Sequence, residues 1–316
     1  MNSIELNQRS LVVANFMADQ AEPMRVAVSE LADGCRVIDC GVDAVGGLET
    51  GLALAHVCMA DLAKIRLTHG VFGSRRVPHI DVSTDHPLVA CLLSQYAGWQ
   101  VTGDDYFGMG SGPMRLAACR EPMLKEFGFE PEPPPHAVGV LEAGKLPTEE
   151  VAADLAEKCG SGVTLLVAPT ASQAGNVQVL ARSVETAMHK LHEVGFETRN
   201  VASGFGTAPL PPVAADDLTG IGRTNDAILY GARVTLWVSC EDDEIREIGP
   251  KVPSNSSSAH GRSFADLFEE AGGDFYKIDK HLFSPAVVVL QNLKTGNTFE
   301  FGQIIEDLAL PKFGRA

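Results

Sequence analysis

One stretch changes its hydrophobic period in mid-course, and any fold for this chain has to accommodate that change. From Val163 to Val194 the sequence reads VTLLVAPTASQAGNVQVLARSVETAMHKLHEV. Val163 to Ala168, closed by Pro169, has the near-continuous apolar character of a strand buried on both faces, which periodicity alone does not separate from buried helix; we read it as a strand. Ser172, Gly175 and Asn176 form a small polar turn, after which Val177, Leu180, Val184, Met188 and Leu191 fall on a single helix stripe. Gly195 is the expected left-handed cap. On the opposite side of that helix, Gln178, Arg182, Glu185 and His189 line up at steps of four, three and four. Spacing alone leaves two readings of this row: a solvated face with an ordinary Arg–Glu pair, or a guanidinium and a carboxylate aimed into a pocket.

A strand feeding a helix implies layered α/β structure, and 316 residues exceed one ordinary core. Two domains are expected. The proline run Glu130–Pro135 (EPEPPP) is the best candidate linker, which gives a first domain of residues 1–135 and a second of 136–316, with segments free to interleave. With 25 Lys and Arg against 41 Asp and Glu, the formal charge of −16 argues against a nucleic-acid groove and against an anionic membrane surface. The seven cysteines, at 35, 40, 58, 91, 119, 159 and 240, show no CxxC pair and read as buried thiols of a reducing compartment. With no basic segment leading into an apolar core near the N-terminus and no span-length apolar run, a cytoplasmic location is expected.

In chain order, Leu6, Leu11, Val12, Phe16 and Met17 mark an amphipathic helix over 4–20. Val26–Leu31 and Arg36–Cys40 read as paired strands around Ala32-Asp33-Gly34. The glycine-rich turn Gly41–Gly51 leads into a small-residue helix, Leu52–Leu62; its glycines suit either backbone contact with an anion or tight helix packing, and it matches neither dinucleotide nor P-loop patterns. Asp85-His86-Pro87 opens an apolar helix reaching Trp99. Three glycine-bearing stretches, Met109–Gly112, Gly206–Pro209 and Gly222–Asp226, read as loops converging on one pocket, with ordinary tight turns as the alternative. Thr148–Cys159 is a helix, Arg233–Ser239 a half-exposed strand, Ser254–Ser258 with His260-Gly261 a mobile polar segment, and Ser263 opens a further helix. Ala286–Leu290 and Thr298–Phe301 make a closing hairpin. His189, His192 and Glu193 (HKLHE) lack the zincin order HExxH, so no metal site is assigned. Covalent catalysis finds no nucleophile motif.

The motifs IDCGVDAVGG, TDHP, SQYAGW, FGMGSGP, VAPTAS, ARSVET, GTAPLPPVA, GRTNDAILYG and DFYKID occur in this order over nearly the whole chain. Together they resemble the methenyltetrahydromethanopterin cyclohydrolases. The resemblance implies an α+β fold of two tightly associated α/β-layered domains with mixed sheets and a pocket between them. It also implies a cytoplasmic homotrimer that reversibly hydrolyses the 5,10-methenyl derivative of tetrahydromethanopterin to the 5-formyl derivative, without cofactor or metal. Carried over to this sequence, Glu185 would be the acid/base and Arg182 its partner. The substrate would be bound by Tyr96, Met109, Gly110, Ser111, Gly112, Thr207, Arg223, Asn225 and Asp226. Archaeal members carry Lys in the SQ-Lys-AGW context where this chain has Tyr96, and a phenol brings no positive charge. That departure suits a bacterial, formaldehyde-oxidising setting and a pterin without the terminal phosphate. A non-catalytic pterin-binding protein of the same fold is the alternative.

Overall fold

The computed structural model describes residues 2–31, 34–273 and 277–311. Two compact units share the chain: residues 1–63 with 89–178, and 64–88 with 179–316. Residues 64–88 therefore belong to the second unit and 136–178 to the first, and the proline run Glu130–Pro135 lies inside the first. Twelve strands are described, β1 (Ala27–Glu30), β2 (Arg36–Asp39), β3 (Lys64–Phe72), β4 (Arg75–Thr84), β5 (Trp99–Gly103), β6 (Tyr106–Ser111), β7 (Ala137–Glu142), β8 (Val163–Ala168), β9 (Val201–Pro209), β10 (Arg233–Val238), β11 (Val287–Asn292) and β12 (Thr298–Gly302). They form two six-stranded mixed sheets, one per unit, so the α+β class with layered units holds.

The first sheet runs β1-β2-β8-β7-β6-β5. β8 pairs in parallel with β2 and β7 and is buried at every residue, as its unbroken apolar run requires. β1 and β2 pair antiparallel as expected, though Ala32 and Asp33 of their turn lie outside the described residues. One side of this sheet packs on the helices Ser3–Asp19 and Leu48–Cys58 through Met17, Leu54, Val57, Ile38 and Leu166. The other packs on the helix Glu149–Cys159, where Leu155 meets Leu165 of β8, both fully buried. Thr148 caps that last helix through its hydroxyl and Gly160 ends it in the left-handed region.

Several local expectations need correction. The first helix buries Leu6, Asn7, Ser10, Ala14 and Met17, while Val12 and Phe16 are 67% and 60% exposed. Its buried stripe is partly polar because Ser10 Oγ donates to Val57 O and Asn7 Nδ2 to Pro113 O, which satisfies both side chains inside. The small-residue helix spans Leu48–Cys58, four residues earlier than expected, starting directly after Gly46 and Gly47. After Pro87 the chain winds as a π-helix over Leu88–Gln95, and Trp99 already begins β5. The Tyr96 N–H to Cys91 O bond, five residues back, shows the wide winding.

The second sheet runs β12-β11-β10-β9-β4-β3, with β10 and β11 parallel and the closing hairpin β11–β12 antiparallel as expected. β10 alternates exposed and buried residues, again as its pattern predicts. The segment expected to be mobile, Ser254–Gly261, is pinned: Ser254 is fully buried with its hydroxyl on Leu229 O, and Ser257 Oγ donates to Asp279 at 2.6 Å. Of the DFYKID motif, Asp274, Phe275 and Tyr276 lie outside the described residues. All seven cysteines are buried free thiols. Among the described residues no helix is long and apolar enough to cross a membrane.

Candidate active site

The helix expected to run unbroken past Arg182 is two helices, Gln173–Leu180 and Ser183–Glu193, with Ala181 and Arg182 in the break. No glycine or proline marks that break in the sequence, so the period reads straight through it. Arg182 is the N-cap of the second helix, with φ −87° and ψ 5°, and its carbonyl accepts the first helical bond, from Thr186 N at 2.9 Å. Glu185 consequently sits in the first turn, where the helix's unpaired N–H groups favour negative charge.

Neither side chain belongs to a solvated face. Arg182 is 7% exposed, Glu185 4% and Gln178 1%, and the apolar stripe Val177, Leu180, Val184, Met188 and Leu191 is buried as well. A helix start buried all round with an arginine and a glutamate in it is costly unless those groups are engaged. The surface salt-bridge reading of the polar row is thereby overturned. Further along, His189 Nε2 lies 3.8 Å from Glu193 Oε1, and burial lowers the imidazole pKa to about 4.

Strand β9 explains how this helix start reaches its position. Val201, Gly204, Gly206 and Ala208 are its inward residues. A Cβ at Gly206 would lie 2.4 Å from Ser183 Oγ, and one at Gly204 2.8 Å from Val184 Cγ1. The glycines thus let the first turn of the Ser183–Glu193 helix lie directly on the strand backbone. Gly206–Pro209, expected as a loop, is strand for this reason. Thr207 sits beside it, across from Asp81 of β4 and Arg233 of β10.

The other loop expectations are corrected in the same way. Met109, Gly110 and Ser111 are the end of β6, paired with β5 and β7. Gly110 is small because a Cβ there would come 3.1 Å from Trp99 O and 2.9 Å from Met114 Cε. Gly112 follows at φ +90°, a turn that favours glycine, and its N–H donates to Ser94 O at 2.8 Å. That bond brings the end of β6 to the end of the π-helix, next to Tyr96. The ring of Tyr96 lies under the Arg115 guanidinium, 5.2 Å from its centroid. Arg115 is fully buried, paired with Glu121, and donates to Leu93 O at 2.8 Å, so the cation beside Tyr96 already has a carboxylate.

Arg223, Asn225 and Asp226 lie in the helix Asp217–Gly231, not in a loop. Gly222 fits there because Ala265 approaches to 3.1 Å of its missing Cβ. Arg223 donates to Pro212 O and Val213 O at 3.2 Å, and Asn225 Nδ2 to Ile221 O at 2.9 Å. Asp226 accepts from Phe264 N at 2.8 Å, and burial pushes its carboxyl up to about 7. Each of these side chains therefore has a structural partner within the second unit.

In the turn at Gly41–Gly51 the tight-packing reading holds, and the converging N–H groups are taken by the chain itself. The Asp39 carboxylate accepts from four successive backbone N–H groups, Gly41 and Val42 on Oδ1 at 2.9 and 2.7 Å, Asp43 and Ala44 on Oδ2 at 2.8 Å. The backbone does cradle an anion, and the anion is the chain's own. Gly51 meanwhile packs against Val177, 2.6 Å from where its Cβ would be. The only sequence signal for this role of Asp39 is an aspartate just ahead of a glycine turn.

An α+β protein of two mixed sheets, with a buried arginine and glutamate at a helix start laid on a glycine-thinned strand, is the class that these observations define. The chain belongs to the family described as Cyclohydrolase (MCH), whose model matches residues 5–313. It is 49% identical over 288 residues to a methenyltetrahydromethanopterin cyclohydrolase of Rhodopirellula baltica, covering 89% of this chain and 86% of the relative. Archaeal proteins of the same name are similar over more of the length: that of Methanocella arvoryzae at 44% and that of Methanococcoides burtonii at 40%, each alignment covering 98% of both chains.

Proposed function

We propose that this chain hydrolyses 5,10-methenyltetrahydromethanopterin to the 5-formyl compound, with Glu185 as acid/base and Arg182 as its partner. The observation that carries the assignment is the near-complete burial of both ionisable side chains at one helix start, within the ARSVET motif of a cyclohydrolase-family chain. Water adds to the methenyl carbon, which is electrophilic as part of an amidinium. A C–O bond forms, the bond from that carbon to N10 breaks, and the formyl group stays on N5. Of the water's two protons one ends on N10 and the other leaves to solvent, so a single carboxylate can accept the first and return it. A carboxylate in the first turn of a helix, where Glu185 stands, is suited to the cationic substrate as well. Arg182 would hold the carboxylate or the water by its planar fork.

Tyr96, Met109, Gly110, Ser111, Gly112, Thr207, Arg223, Asn225 and Asp226 are proposed to contact the pterin carrier through their family motifs. A trimer of identical chains, a cytoplasmic setting and turnover without a cofactor complete the reading. The test is loss of the methenyl absorbance with purified protein. Glu185→Gln should lower turnover by roughly 10²–10⁴ with modest change in KM, and Arg182→Lys should also be costly. Wild-type protein that binds the carrier without consuming it would establish a non-catalytic binder instead. A Glu185→Gln enzyme keeping more than about a third of wild-type turnover would move the base elsewhere.

A further inference from the structure

The second sheet has a groove on the side that the Ser183–Glu193 helix does not cover. Since Gly204 and Gly206 face that helix, Ser203 and Phe205 of β9 point to the opposite face. With Ser83, Asp85, Trp237 and Leu293 they line an open cavity of about 430 Å³. Its apolar walls are unusually bare: Phe205 is 40% exposed and Leu293 56%. Trp237 stands directly across from Ser203 in the β9–β10 register, which places Phe205 diagonally beside it on the same face. Asp85 is the one ionisable residue of the lining, and Ser203 Oγ fixes its Oδ1 at 2.7 Å.

We propose that this groove binds a flat nitrogen heteroaromatic ring that presents an exocyclic amine beside a ring N–H, stacked on Trp237 and Phe205 with that edge on Asp85. The volume falls in the range of small-molecule sites, and a mostly apolar wall with few polar groups is their usual make-up. A carboxylate can accept two parallel N–H bonds, which selects the amine-plus-ring N–H edge. An anionic ligand is disfavoured by Asp85 and by a chain charge of −16. Pteridines and guanine share the selected edge. Choosing the pteridine rests on the function proposed above, and would make the groove a second pterin site on the far side of the sheet from Arg182 and Glu185.

Calorimetric titration of the full chain with free pterin, and separately with guanosine, tests this. Wild type and Glu185→Gln should take up a pterin equivalent that Asp85→Asn and Trp237→Ala bind tenfold or more weakly. The Asn carbonyl can still accept the Ser203 bond, so Asp85→Asn should fold. Equal pterin binding in all four proteins would overturn the proposal, and guanosine binding there in place of pterin would overturn the pteridine assignment. If Trp237→Ala instead lowered the mass in light scattering and left pterin uptake unchanged, a second copy would cover the groove and the proposal would fall. Methenyl hydrolysis by wild type, run alongside, separates the two readings. Absent turnover with Asp85-dependent binding defeats the proposed reaction alone, and turnover without such binding defeats the groove alone.

Discussion

The turn after β2 and strand β9 are both rich in glycine, and they use it for opposite ends. In the turn, Asp39 takes up four successive N–H groups, and Gly46, at φ +61°, lets the chain fold back onto Cys40 O, 2.2 Å from where its Cβ would be. In β9 the N–H groups stay in the ladder, and the missing side chains let Ser183 and Val184 approach instead. The first arrangement closes a loop on itself. The second sets the position of the helix start that carries Arg182 and Glu185. Glycine density therefore does not mark a ligand site; what fills the space that the glycine leaves does.

Removing the filler should separate the two most sharply. Asp39→Ala leaves four donors without their charged acceptor, and since bonds to charged groups are worth about 1.5–3 kcal/mol each before water substitutes, a loss of about 3–5 kcal/mol is expected. Denaturant unfolding measures it; a loss below about 1 kcal/mol would mean that water serves the turn equally well. Gly206→Ala fills space at the other region. Its Cβ would fall 2.4 Å from Ser183 Oγ, so overpacking of about 1–3 kcal/mol is expected, with turnover down about tenfold as the helix start shifts. Ser183→Ala, made in addition, should restore much of both. That hydroxyl has no hydrogen-bond partner among the described residues, so its removal relieves the clash without cost to a bond. Failure of the pair to recover would separate the turnover defect from the helix position.

Much of this was legible in residues whose packing is local or one-sided. β8 was readable because burial on both faces demands an apolar run, the Glu149–Cys159 helix because Thr148 and Gly160 cap it, and the β11–β12 hairpin because its turn lies between two β-prone runs. β9 was not readable, because its inward positions are small to admit a helix and so mimic a loop. The break at Ala181–Arg182 has no glycine or proline to announce it, and the π-winding of Leu88–Gln95 leaves an ordinary apolar helix pattern in the sequence. For the candidate site, the alignment of Arg182 with Glu185 was visible in the spacing, but their burial was not: it depends on glycines about twenty residues further on. Similarly, Asn225 and Asp226 were expected in a loop because polar side chains beside glycine suit one, whereas they lie in a helix and bond to Ile221 and Phe264.

The smallest effect concerns acid, and it lies wholly in the second unit. His189, on the helix of Glu185, has its pKa lowered from 6.5 to about 4, mainly by burial, so between those values the unfolded chain binds one more proton than the folded one. From this group alone, stability falls by about 1 kcal/mol for each pH unit below 6.5, down to about 4. Asp226 has the opposite sign. Burial raises it from 3.8 to about 7, so the folded chain holds the extra proton across that window and stability rises as pH falls. Over roughly pH 4–6.5 the two contributions cancel, and they should be hidden in the wild type. Single substitutions expose them: His189→Gln should gain stability on acidification relative to wild type, and Asp226→Asn should lose it, since the Asn carbonyl keeps the Phe264 bond but cannot take the proton. The double variant should return to the wild-type slope. Melting temperatures at pH 6.5 and 5 for the four proteins provide the check, and single variants with parallel slopes would show that neither group titrates differently in the folded chain.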